Sequence, residues 1–495
     1  MDTSSTHKAA VFSRVPLLLL VACIVLVPPI TSPTSADEPQ RPNVLFIAVD
    51  DLNDWVSALN GHPQSHTPNI DRLADRGVMF TSAHTAVPLC NASRAALMTG
   101  LRPSDTGVYN NHQPFRKVAP DVTTLPMHFQ DNGYTTRRAG KIYHGRFPDP
   151  ASWDMAFPSL HQNRPTDPKP NDRPINGIEG AGHFDWGPVR VPDEKMGDYQ
   201  VTSWIIEQME TNSEKPFFLA CGIYRPHLPW YVPPKFFDDI DPLELQLPPY
   251  KPNDLADVPK PGVQFAQTGL NGSDHKTVLG HDEWHAAVRG YLASIRFADR
   301  QVGRLLDALE ETGHRDDTIV VLWSDHGWHL GEKDAWRKFT LWERSTRVPM
   351  IVVAPEGTPG LPEGTPVGAV SNRPVSLMDL YPTITKLAGL PVPDHVQAKS
   401  LLPLLKDPDA DLDRKVLTTH GFRNYAVRSQ HFRYIRYQNG GEELYDHRRD
   451  PNEWTNLADH PAYQDVKKRL KKRLPDEHAP PGPEMQHKWW PGKPE

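Results

Sequence analysis

Four apolar runs of strand length, each emptying into polar or charged residues, do most to limit what this chain can fold into. They are Asn43-Val44-Leu45-Phe46-Ile47-Ala48-Val49, Pro216 to Gly222, Thr318 to Trp323 and Val348 to Val353. None alternates, so each has both faces covered, the habit of parallel strands flanked by helices. Helical stretches stand between them, at Asn69 to Gly77, Leu125 to Gly133 and, longest, Trp284 to Glu311. In that last stretch Tyr291, Ile295, Ala298, Val302, Leu305 and Leu309 step by four and three, and Gly313 stops the helix. The expectation is an α/β fold, a large mixed, mostly parallel sheet sandwiched by helices, over residues 40–405. Beyond Leu405 short alternating segments take over, such as Tyr425-Ala426-Val427-Arg428 and Phe432-Arg433-Tyr434-Ile435-Arg436. They predict a small C-terminal antiparallel sheet in an α+β subdomain over 406–478, closed by a basic helix from Tyr463 to Leu474. Residues 479–495 are rich in proline and charge and are expected to form a flexible tail.

Residues 1–36 have the pattern of an export signal. Lys8 and Arg14 precede an apolar stretch from Val15 to Val27, and Thr34-Ser35-Ala36 offers small residues for cleavage. That stretch is too short for a comfortable membrane span. Leu20-Val21-Ala22-Cys23 has a lipobox pattern, but the apolar run continues past Cys23, so export without a lipid anchor is the expectation. The destination is periplasmic or extracellular. Of the three cysteines, Cys23 leaves with the signal, and Cys90 and Cys221 remain. An exported chain that leaned on disulfides would carry a denser, even set. Cys90 is then free for chemistry; a Cys90–Cys221 disulfide is the alternative.

A net charge of −7 and a pI near 6.4 offer no basic stripe for nucleic acid. The 52 prolines, about twice average usage, argue for long ordered loops. Residues 146–197 and 241–280 read as such loops, the first lying over one face of the sheet.

The chemistry-bearing residues cluster after the strands. Val87-Pro88-Leu89-Cys90-Asn91-Ala92-Ser93-Arg94 runs into Ala95-Ala96-Leu97-Met98-Thr99-Gly100, a short helix with a glycine exit. Cys90 then sits at the helix N-terminus with Arg94 one turn on, a setting that favours an anion. On these residues alone a small buried core cysteine is the favoured reading. Asp50 and Asp51 follow the first strand, and adjacent acids there are costly unless a cation meets them; an acidic turn before the next helix is the alternative. Lys141 and His144 follow Tyr134 to Ala139, His227 follows the strand ending at Gly222, and Asp325-His326 follow Trp323 and Ser324. Lys338 comes thirteen residues after Asp325. Each alone has an ordinary structural explanation.

Together they resemble a known family. Cys90-Asn91-Ala92-Ser93-Arg94 followed by Ala95, Leu97, Thr99 and Gly100 is similar to the signature of the formylglycine-dependent sulfatases, relatives of alkaline phosphatase. The match extends from Asn43 to Lys338 and on to Leu444-Tyr445-Asp446 and Asp450-Pro451-Asn452-Glu453. Ser324 to Trp328, Gly140-Lys141 with His144, and Arg225-Pro226-His227 with Pro229 look most like the iduronate-2-sulfatase branch. One position departs: Ala92 stands where the family usually has proline, which removes a fixed dihedral from the segment read by the formylglycine-generating enzyme.

The resemblance implies that Cys90 is oxidised to formylglycine (3-oxoalanine), whose hydrate attacks sulfur. It implies one divalent cation, Ca²⁺, held by Asp50, Asp51, Asp325, His326 and residue 90. Calcium prefers oxygen ligands, so His326 leaves Mg²⁺ or a softer metal open. Asp325 is the implied base, and Arg94 and Lys141 the groups that hold the hydrate and the sulfate oxygens. Lys338 and His227 belong at the leaving oxygen, His227 being the better proton donor. His144 takes the proton whose loss expels sulfate. Trp230, Trp328, His329 and the 146–197 loop are the candidate sugar contacts, because aromatic faces stack on sugars. The implied substrate is a sulfated carbohydrate of the 2-O-sulfated uronic acid type. The alternatives are a phosphonate monoester or phosphodiester hydrolase on the same scaffold, and a glycan-binding relative with Cys90 unmodified. His281, His285 and His329 form no evident second metal set, and the sequence assigns no oligomeric state.

Overall fold

The computed structural model describes residues 41–211 and 214–485, with residues 10, 11 and 13. Apart from those three, the expected export signal with Cys23 lies outside the described residues, as do residues 486–495.

The body that begins at Arg41 is built on a nine-stranded sheet. From edge to edge it runs Ala369–Ser371, Val78–His84, Arg347–Val353, Thr318–Ser324, Asn43–Val49, Phe217–Ile223, Thr135–Gly140 and Met155–Phe157, with Val375–Ser376 also pairing Val78–His84. Asn43–Val49 lies parallel to both its neighbours, with Ile47 opposite Cys221 on one side and Leu322 on the other. Arg347–Val353 alone in this sheet is reversed, antiparallel to the strands on either side. Every residue of Asn43–Val49, Phe217–Ile223 and Thr318–Ser324 is buried, which is why their sequences do not alternate.

The sheet divides two cores. Leu45, Ile47 and Val49 face a layer that includes Trp284–Glu311, whose Tyr291, Ile295, Ala298, Val302, Leu305 and Leu309 are all buried. Val44, Phe46 and Ala48 face the other layer, with Ala92, Leu97 and Met98 of the helix Cys90–Thr99. That helix is buried along its whole length and stops where Gly100 takes φ 70°, its N–H closing on the Ala96 carbonyl. Cys221 belongs to the first core, whereas the Cys90 helix packs into the second. Both cysteines are free, so the disulfide alternative is not formed.

The second sheet has four antiparallel strands, Val416–Thr419, Tyr425–Arg428, Phe432–Arg436 and Glu442–Asp446 in order. A buried charge network ties it to the first. Arg433 pairs with Glu343, just ahead of the reversed strand, and lies 2.8 Å from Glu453.

Three stretches differ from expectation. Residues 241–280 hold the helices Lys260–Ala266 and Asp274–Gly280, the second capped by Ser273, whose Oγ accepts from the Lys276 N–H. The 146–197 loop contains short strands, one of which, Trp186–Pro188, pairs with Trp230–Val232. Residues 479–485 of the expected tail run along residues 104–112, with Ala479 N–H donating to Ser104 O and Met485 N–H to His112 O. Among the described residues no helix is long and apolar enough to cross a membrane.

Candidate active site

Parallel neighbours open at the same edge, so Asn43–Val49 and Thr318–Ser324 deliver Asp50-Asp51 and Asp325-His326 side by side. The turn is held from below and across. Asp51 takes the left-handed conformation, φ 61°, which aspartate tolerates better than most residues. Its carbonyl accepts from Tyr291 Oη at 2.8 Å, and its N–H donates to Asp325 Oδ1 at 3.1 Å. A core tyrosine of the longest helix thus pins the acid turn.

Cys90 enters from the other layer. Its Sγ lies 3.3 Å from His326 Nε2, 3.1 Å from Lys338 Nζ and 3.9 Å from Asp51 Oδ1. Ser93, one turn on, donates its hydroxyl to the Asp325 carbonyl at 2.6 Å. Arg94, wholly buried, donates Nε to Asp325 Oδ2 at 2.9 Å and Nη2 to Asp50 Oδ1 at 3.1 Å. Its Nη1 donates to the carbonyls of Lys141 and Ile142. Its donors are directed at the protein, so Arg94 is a clamp on two acids and one loop.

Lys141 Nζ pairs with Asp50 Oδ2, and Lys338 Nζ lies 2.6 Å from Asp51 Oδ1. Three buried acids therefore face three buried cations, Arg94, Lys141 and Lys338. Burial raises Asp325, but Arg94 and then His326 and the lysines outweigh it and hold the carboxyl well below its ordinary value. Asp51 is the least secured. Burial pushes it to about 7 in spite of Lys338, and its Oδ2 is buried without a hydrogen-bond partner among the described residues. Burial also raises the Cys90 thiol, against the pull of Lys141 and Lys338.

His227 donates Nδ1–H to the Leu228 carbonyl at 2.7 Å, which turns Nε2 toward Asp51 Oδ2 at 3.7 Å. His326 uses Nδ1 on the Gly327 carbonyl at 3.0 Å and keeps Nε2 for the site. His144 lies at the rim with Nδ1 buried and unpartnered among the described residues. Burial, with Lys141 next, holds both His144 and His227 well below the ordinary histidine range.

The cluster could hold a metal ion. Ligand atoms of Asp51, Cys90, Asp325 and His326 lie within 4.8 Å of one another, and so do those of Asp50, Asp51 and His227. The Asp51 Oδ2 atom, with no hydrogen bond of its own, is free to serve as one of these ligand atoms. With three acids and three bases already balanced, a divalent ion leaves the pocket positive and receptive to an anion.

The three residues expected to stack on a sugar do not face solvent. Trp230 is 0% exposed, and its Nε1 donates to the Pro226 carbonyl at 2.7 Å, bracing the loop that carries His227. Trp328 is buried with its ring 5.2 Å from Lys338 Nζ, so it backs the lysine. His329 is also 0% exposed and bonds Thr340 Oγ1 at 2.8 Å. The rim belongs to other side chains. The Tyr224 ring lies tilted against His227 with centroids 4.5 Å apart, Arg164 lies over the Tyr224 ring at 3.6 Å, and exposed His183 sits within the field of Arg337 and Lys338. Tyr224 directly precedes the Arg225-Pro226-His227 motif and could have been found there. Arg164 and His183 lie in the irregular 146–197 loop, where no periodic signal marks them.

A family model described as "Sulfatase" matches residues 42–390, and one described as "N-sulphoglucosamine sulphohydrolase, C-terminal" matches residues 331–479. A sulfatase of Formosa agariphila is 39% identical over 456 residues, covering 89% of this chain and 88% of its own length. Iduronate 2-sulfatase of Homo sapiens is 32% identical over 393 residues, covering 72% and 71%. Among solved structures, a phosphonate monoester hydrolase from Silicibacter pomeroyi superposes with TM-score 0.71 at 22% identity, over 88% of this chain and 94% of that one. That likeness speaks for the fold alone.

Proposed function

Because the chain belongs to the sulfatase family and is a sulfuric ester hydrolase, we propose that it removes sulfate from a carbohydrate of the 2-O-sulfated uronic acid type, with formylglycine at residue 90. The observation that carries the chemistry is the seat of Cys90 at its helix N-terminus, 3.3 Å from His326 and 3.1 Å from Lys338. The likeness to iduronate 2-sulfatase over 72% of the chain supports the uronate substrate. The expected export signal suits a polysaccharide substrate outside the cytoplasm, with the formylglycine-generating enzyme as the maturation partner.

A formylglycine hydrate at residue 90 would supply the nucleophile, and a divalent cation held by Asp50, Asp51, Asp325 and His326 would supply positive charge. The chain's own residues do the rest. Arg94 keeps Asp50 and Asp325 charged and aligned, so Asp325 can act as base. Lys141 and Lys338, both nearly buried, meet the sulfate oxygens from two sides, where low dielectric strengthens them. His227 presents Nε2 for the leaving oxygen, and His144 accepts the proton whose transfer releases sulfate.

The test is sulfate release by the purified, matured protein from 2-O-sulfated uronate oligosaccharides, beside an aryl sulfate and an aryl phosphonate monoester. Sulfate from the uronate is the expected result. Hydrolysis of the phosphonate with no sulfate ester cleaved would overturn the reading.

A further inference from the structure

One cation at the rim has no part in the chemistry above. Arg164, on the 146–197 loop, places its guanidinium carbon 3.6 Å from the centre of the Tyr224 ring. Tyr224 is itself immobilised. Its hydroxyl donates to the Leu228 carbonyl at 3.1 Å, and its N–H donates to Asp198 Oδ1 at 2.7 Å. The same ring lies 4.5 Å from the His227 ring and 5.5 Å from Lys141 Nζ. Arg164 is therefore no farther from His227 than the two ring distances laid end to end, a span that one pyranose and its substituents cover.

The arginine is held by one edge only. Nη1 donates to Asp167 Oδ2 at 2.9 Å. Asp167 in turn accepts from the Gly197 N–H at 2.8 Å and lies 3.2 Å from buried Arg225, which fixes the loop to the body. Nε and Nη2 of Arg164 have no hydrogen-bond partner among the described residues, and the side chain is 31% exposed. Those two nitrogens form the side-on edge of a guanidinium, two parallel donors spaced for the two oxygens of a carboxylate.

We infer that Arg164 is the specificity residue that reads the substrate's carboxylate, gripping it through Nε and Nη2 while the sulfate sits between Lys141 and Lys338. In a 2-O-sulfated uronate the carboxylate stands across the ring from the sulfated carbon, so a cation no farther than that from His227 can reach it. Tyr224 holds the guanidinium in place and needs no contact of its own with the sugar. The inference rests on the sulfatase reading and narrows its substrate to one with a second, planar anion.

The experiment compares kcat/KM for a 2-O-sulfated uronate and for the same sugar with its carboxylate reduced to the alcohol, in wild type, Arg164→Ala and Arg164→Lys. Charge-assisted hydrogen bonds of this kind predict a wild-type preference of roughly 10- to 100-fold for the carboxylate. Arg164→Ala should bring the ratio near one, chiefly through a higher KM for the uronate, and Arg164→Lys should keep part of it. An equal loss on both sugars in Arg164→Ala would overturn the inference, making Arg164 a loop fastener. Equal wild-type rates on the two sugars would overturn it while leaving the uronate sulfatase reading intact. Cleavage of an aryl sulfate but of neither sugar would remove the uronate substrate and the inference together.

Discussion

The backbone of Lys141 passes so close to Gly222 that a Cβ there would lie 2.4 Å from the Lys141 nitrogen. The two strands are paired at that point, with Gly140 opposite Gly222 and the Lys141 N–H donating to the Gly222 carbonyl at 3.1 Å. Gly222→Ala must therefore push Lys141 off Asp50. Overpacking of this kind costs about 1–3 kcal/mol, and an ångström of misplacement in a site can cost about 10²-fold in rate. The expected outcome is a folded protein with a lower Tm and a kcat/KM close to that of Lys141→Ala. Wild-type turnover in Gly222→Ala would show that Lys141 is positioned by something else.

Asp51 offers a direct test of the cation. With Oδ2 buried and unpartnered and the carboxyl pushed to about 7, chiefly by burial, it gains more from a divalent ion than its neighbours do. Calcium added to chelator-treated protein should raise the Tm, since an ion at a hundred times its Kd stabilises by about 2.7 kcal/mol. Asp51→Asn should lose most of that shift, whereas Glu453→Gln, in the cluster with Glu343 and His447 that Arg433 already satisfies, should keep it. Equal calcium shifts in wild type and Asp51→Asn would move the ion elsewhere.

The buried strands were legible because a strand covered on both faces must be apolar along its middle, as residues 44–49 and 319–323 are. The reversal of Arg347–Val353 was not, since direction depends on where the connections run and leaves no mark on composition. Asp50, Asp51, His227 and Asp325 could be picked out because each follows such a strand, whereas Lys141 follows Thr135–Gly140, which is polar and only partly buried. Trp328 and His329 were misjudged on residue type, for an aromatic beside a site can as well be its wall. Arg164 meets Tyr224 across sixty positions of irregular chain, a contact made only by the fold.

Buried histidines outside the site give the protein an acid limit. His329 is held at about 3, chiefly by burial and next by Arg344, and His420 at about 4 by burial, both from an ordinary 6.5. Below pH 6.5 the unfolded chain binds protons that the folded chain refuses, so stability is full above that value and declines as pH falls toward 4. Each such histidine contributes a slope of about 1.4 kcal/mol per pH unit in that window. Urea unfolding at pH 7, 6 and 5 should show the decline, and His329→Gln, which keeps a partner for Thr340, should show a shallower one. Parallel slopes for the two proteins would mean that His329 is not among the groups responsible.

The last prediction separates the two histidines of the mechanism. His227 sits on a loop stiffened by Pro226 and Pro229 and braced by Trp230, whose Nε1 holds the Pro226 carbonyl at 2.7 Å. Its Nδ1 proton is committed to the Leu228 carbonyl at 2.7 Å, so His227 acts as an acid only after Nε2 takes up a second proton, which the negative charge of a bound sulfate ester favours. A sugar alkoxide cannot leave without that proton, whereas the phenolate of an activated aryl sulfate can. General acids contribute about 10²–10⁴-fold, so His227→Ala should slow a sugar sulfate by that order and an activated aryl sulfate far less. His144→Ala should slow both alike, because its proton transfer comes after the leaving group has gone. The measurement is the ratio of the two rates in wild type and in each variant. An equal loss on both substrates in His227→Ala would make His227 a binding residue and pass the proton donor's role to Lys338, whose Nζ lies 3.1 Å from Cys90 Sγ.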